Sequence, residues 1–140
     1  THALITRRRA ILKRYLSRLS PLADPKVDGS SVCFTDLARS TGTSPDVSFH
    51  YSAGLWTGNE LEHRQELAVK VGDGGKVCVE LPRVVPDEGV PEDDGSRYAV
   101  LDVLNGIAKG PLRAHFYDLG SKRGFKLVAI RRPDDAGRDF

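Results

Sequence analysis

The 140-residue sequence has no methionine, one tryptophan and only two cysteines. No apolar run approaches the ~18 residues that a helix needs to cross a bilayer, and the arginine-rich start lacks a signal-peptide pattern. The sequence also lacks a G-x-S-x-G elbow, an H-E-x-x-H helix, a phosphate-binding glycine loop and a C-x-x-C pair. His2, His50, His63 and His115 are scattered without metal-ligand spacing. These absences imply no metal and no cofactor, and they lean the reading away from an enzyme. With no initiator methionine, and a helical pattern that begins almost at Thr1, the chain reads as a fragment of a larger protein.

Two cysteines allow one disulfide or none. Cys33 and Cys78 each sit in a strand-like run, Val32-Cys33-Phe34 and Val77-Cys78-Val79. Two buried thiols and one bridge both fit such runs. Bridged cysteines would point to an exported, oxidising compartment. Otherwise the sequence leaves the compartment open.

What the chain does have is a lopsided charge. Its net charge is +2, yet the first 23 residues hold Arg7, Arg8, Arg9, Lys13, Arg14 and Arg18 and no acidic side chain. The body of the protein is therefore mildly acidic. Leu4, Ile11, Leu12, Tyr15, Leu16 and Leu19 recur at helical spacing, so residues 4 to about 19 read as an amphipathic helix. Most of its basic residues lie opposite the apolar stripe, with Arg8 inside it. Pro21 and Pro25 stop the helix. Such a face is either simply solvated or the contact for an acidic partner, a membrane surface or nucleic acid.

Beyond the helix, period two takes over. Asp28-Gly29 signals a turn before a strand ending at Phe34, and Thr35 is placed to cap a short helix from Asp36 to about Thr41. Val47, Phe49, Tyr51 and Ala53 alternate with polar residues, as do Leu67, Val69 and Val71. Asp73-Gly74-Gly75 joins the last run to Val77, Val79 and Leu81 as a hairpin. Pro86 to Ser96 is an acidic loop. Residues 98–109 suit a strand or a helix, and valine, tyrosine and the Asn105-Gly106 turn favour strand from Tyr98 to Leu104. Leu112 to Leu119 and Phe125 to Arg131 form a second hairpin.

The resulting expectation is an α+β fold. An N-terminal helix (residues 1–22) joins an antiparallel β domain of about six or seven strands (residues 23–133), a sandwich or partly open barrel. Residues 134–140 form a frayed tail.

Two aromatic clusters are candidate ligand sites. His115 and Tyr117 share one face of a strand, with Phe116 and Asp118 on the other. His50, Tyr51 and Trp56, beside Gly54 and Gly58, can stack on a sugar ring or a base. Asp118 also suits a contact to its own turn.

The run Asp36-Leu37-Ala38-Arg39-Ser40-Thr41-Gly42-Thr43-Ser44-Pro45-Asp46-Val47-Ser48 resembles the turn region of helix-turn-helix regulators. Those families carry a D-L-A-x-x-T-G-x-S-x-x-x-V-S-like run between their positioning and recognition helices. The resemblance implies a winged-helix DNA-binding domain over residues 4–82, with helix rather than strand from Pro45 to Leu55.

The favoured role is a non-catalytic binding or interaction domain of a larger protein. The N-terminal helix would join it to the rest of its parent or to a protein partner. For an exported parent, a sugar or a protein is the expected ligand class. The winged helix is one rival. The other is a small enzyme whose site forms only in the fold, from His50, His115, Tyr117 and Asp118. It requires at least two of these within hydrogen-bonding reach in one cleft.

Overall fold

The computed structural model describes residues 20, 22–41, 49–58, 60–84, 95–120 and 122–133. Nine strands make two antiparallel sheets around one core. In chain order they are β1 (Leu22–Asp28), β2 (Ser31–Asp36), β3 (Ser52–Thr57), β4 (His63–Leu67), β5 (Val69–Val71), β6 (Lys76–Glu80), β7 (Tyr98–Leu104), β8 (Leu112–Asp118) and β9 (Phe125–Arg131). One sheet runs β1-β2-β6-β5 and the other β4-β3-β7-β8-β9.

Alternation builds the core. Val32 and Phe34 of β2 and Val77 and Val79 of β6 face Ala53, Leu55, Leu101, Val103, Ala114 and Phe116 of the other sheet. All are essentially inaccessible. Phe116 and Phe125 meet edge to face, 6.4 Å between centroids. Burial of such side chains contributes about 1.5–3 kcal/mol each.

This architecture corrects the α+β expectation: the described residues are mostly β, in nine strands rather than six or seven. Their only α-helix is the four-residue α1 (Leu37–Ser40), capped by Asp36 rather than Thr35. The expected N-terminal helix, with Arg7, Arg8, Arg9, Lys13, Arg14 and Arg18, lies outside the described residues, as do the tail after 133 and residues 86–94 of the acidic loop expected over 86–96, whose end falls in a 3-10 turn at Gly95–Arg97.

The extra strands have physical explanations. Pro25 was expected to end a helix, but it sits in the edge strand β1, where a missing N–H is tolerated. The register shifts between Ala23 and Lys26, and Asp24 has φ +52°. Strand β4, His-Arg-Gln-Glu-Leu, is an exposed edge with no apolar alternation to reveal it. The run from Leu67 to Val71 splits at Ala68, with Leu67 pairing in one sheet and Val69 in the other. Strand pairing in β3 begins at Ser52; of the alternation expected from Val47, residues 49–51 are not strand, and Val47 and Ser48 lie outside the described residues.

The two hairpins form as the sequence indicates, β5 with β6 and β8 with β9. Residues 98–104 are strand, followed by a turn. Cys33 and Cys78 are direct register partners and are disulfide-bonded, their Cα atoms 4.1 Å apart. Among the described residues, no helix is long and apolar enough to cross a membrane.

Candidate functional site

The five-stranded sheet turns its second face away from the shared core. Register places Glu66, Gly54, Asp102, Arg113 and Arg131 in one rung across it. The next rung on that face is Arg64, Trp56, Val100, His115 and Ala129. Tyr98, Tyr117 and Lys126 follow. Because side chains alternate along a strand, Trp56, His115 and Tyr117 share this face. It is the one place where the structure gathers several of the candidate ligand residues.

At its centre the face is closed to solvent. The side chains of Arg113 and Asp102 are 1% and 6% exposed. Arg113 Nε donates to Asp102 Oδ1 at 2.8 Å, and Nη2 donates to Oδ2 at 2.9 Å. A planar guanidinium fork matches a carboxylate in this way, and the pairing offsets the large cost of burying either ion alone.

His115 lies beside this pair and is 5% exposed. Burial pushes its pKa below the usual imidazole value, and the Arg113 and Arg131 cations push it further, against a smaller opposing pull from Asp102. Its Nδ1 is hydrogen-bonded to the Tyr98 hydroxyl. Burial raises the Tyr98 pKa, so this hydroxyl keeps its proton and can donate it to Nδ1. The neutral imidazole then carries its own proton on Nε2. That atom is buried and has no hydrogen-bond partner. An orphaned donor of this kind is costly unless an acceptor reaches it.

Trp56 is half-buried at the other end of its rung. The Arg64 guanidinium lies 5.7 Å from the ring centroid and is paired with Glu66. Gly54 makes room for it, since a Cβ there would come within 2.5 Å of Arg64 Nη2. One face of the indole therefore carries a cation.

The other candidate residues lie elsewhere. Tyr51 donates its hydroxyl to Asp36 Oδ2 at 2.7 Å. Burial and the adjacent Asp36 carboxylate push the Tyr51 phenol well above its usual pKa, against a smaller opposing influence from Arg39. Asp36 is itself a junction, accepting from the Ala38 and Arg39 N–H groups and from Asn105 Nδ2. His50 is exposed, and its backbone N–H donates to Asn105 O at 2.9 Å.

Asp118 is fully buried on the opposite side of β8 from His115. It accepts from Arg83 Nε, Val84 N and Gly120 N, all at 3.0 Å. Burial alone would raise its pKa, but Gly120, Arg83 and Val84 hold it below the usual carboxylate range. Tyr51 and Asp118 thus tie parts of the fold together. Of the residues considered for an enzyme, only His115 and Tyr117 share a face.

Reading the sequence for sites missed Asp102, Arg113 and Tyr98. The available signal was a single acid in Val100-Leu101-Asp102-Val103 and a single base in Leu112-Arg113-Ala114. Opposite charges inside two apolar strands ask for each other. Among the described residues, no group of three or more His, Cys, Asp and Glu converges as a metal site. No protein-family model, curated protein or solved structure matches the chain.

Proposed function

We propose that the chain is a non-catalytic binding module of an exported protein that docks a carboxylate- or sulfate-bearing partner on the outer face of β8 and β9. The observation behind this reading is a run of exposed cations. Lys122, Arg123, Lys126, Arg131 and Arg132 are all exposed, and residues 119–133 contain no acid. Lys126 and Arg131 belong to the same face as His115 and Tyr117. That arrangement places two exposed cations on a rigid strand beside the Tyr117 ring, where an anionic partner can approach from solvent. The disulfide supports export, because such bridges persist in oxidising compartments. The winged-helix alternative gains nothing from residues 52–55, which pair as strand in β3 where a recognition helix would run.

The test is a binding titration of the full chain against heparin, poly-glutamate and duplex DNA at several salt concentrations, alongside Lys126→Glu with Arg131→Glu. Binding to heparin or poly-glutamate should weaken with salt and fall at least about tenfold in the double variant, since each lost cation lowers the salt slope by about one. Unchanged binding in the variant refutes the reading. A preference for duplex DNA would favour the nucleic-acid rival.

A further inference from the structure

We propose that Cys33–Cys78 is a thiol-exchange site, reduced in the folded protein by a small thiol. Three observations point there. First, both cysteines belong to the solvent side of their sheet, alternating with the buried pairs Val32 and Phe34, and Val77 and Val79. The sulfurs are outside the core, and four further register pairs join β2 and β6 besides the cysteine pair. Second, the bridge lies in the rung Lys26, Cys33, Cys78, Lys70, so an exposed lysine stands on each side. Third, Cys33 lines an open depression of about 460 Å³ whose charged lining is Lys26 and Lys76 with Asp24, Asp28 and Asp73, which gives a reductant access.

The chemistry needs an external thiol as reductant. Its thiolate attacks one sulfur of the bridge. The Cys–Cys bond breaks as a mixed disulfide forms, and the other cysteine leaves as thiolate. A second external thiolate attacks the external sulfur of that mixed disulfide and releases the second cysteine. Two electrons pass to the protein, and two external thiols become one disulfide. Ammonium groups beside the sulfurs draw in an anionic thiolate and stabilise the departing one. Lys26 shares its charge with Asp24 at 3.6 Å, and Glu80 on the same face is bonded by Ser30. Lys70 completes the rung from the other side.

The experiment reduces the full chain in native buffer with glutathione, which is anionic, and with cysteamine, which is cationic. Thiols are counted by alkylation and mass, and the fold is followed by circular dichroism. Lys26→Gln with Lys70→Gln is compared with the matching double arginine variant. The expected result is a rate proportional to thiol concentration with the β signal retained. Glutathione should react about threefold or more slowly with the glutamine variant, cysteamine should be less affected, and arginine should restore the rate. A rate independent of thiol concentration, loss of the β signal on reduction, or equal glutathione rates in all forms would each overturn the proposal.

Discussion

Removing Arg113 should unfold a large part of the stability margin, while removing Arg113 and Asp102 together should not. The two side chains share a fork of 2.8 and 2.9 Å contacts, and neither is more than 6% exposed. Arg113→Met leaves a buried carboxylate with nothing to balance it. Breaking one side of such a pair costs about 3–5 kcal/mol, against a total stability of about 5–15 kcal/mol. With a urea slope of about 2 kcal/mol per molar, the unfolding midpoint should drop by about 2 M. Asp102→Leu should behave similarly, because it takes the bidentate carboxylate away from a buried guanidinium. The double variant presents two apolar side chains in one rung, and such replacements are often neutral. The single losses should therefore exceed the double loss by several kcal/mol in a cycle read from urea denaturation followed by circular dichroism. Additive effects, or single variants that lose less than about 1 kcal/mol, would falsify the account of a coupled buried pair.

Three further outcomes follow from the same structure. Replacing both cysteines by alanine should lower stability by up to about 4 kcal/mol, the loop-closure value for a separation of 45 residues, and urea midpoints would show it. The His115 pKa is lowered in the fold, so the unfolded chain binds its proton more readily; stability should fall as pH drops below about 6.5, and His115→Phe should flatten that slope in melting scans between pH 5 and 8. The Tyr51 phenol is raised, so its contribution is present below about pH 10 and lost above it; Tyr51→Phe should remove that alkaline loss and cost about 1 kcal/mol at pH 7.

Where side chains alternate cleanly, the sequence reveals the strand. Val77 and Val79 mark β6, and Asp73-Gly74-Gly75 marks its turn, because one face is wet and the other buried. The same rule is silent where both faces are buried or both are wet. β8 is buried on almost every residue, so Arg113 looks like a surface base until its partner in β7 is known. β4 is wet on four of its five residues and carries no pattern at all. Pro25 misled for a different reason, since proline ends helices and also suits a strand edge. The shared face of Trp56, His115 and Tyr117 depends on which strands become neighbours. β3 pairs with β7, more than 40 residues away in sequence, and no local pattern encodes that choice.

The crossing at Ala68 gives the sandwich a spine. One continuous segment runs from β4 in the five-stranded sheet to β5 in the four-stranded sheet, with a single residue between them. On the opposite side the covers are held by a clasp. Phe125 N donates to Gly29 O at 2.9 Å, and Arg132 Nη2 donates to Leu22 O at 2.8 Å. A book bound this way opens from the clasp. Amide exchange should therefore be early where β1 meets β9, while the buried central strands β7 and β8 stay shut until the whole protein unfolds.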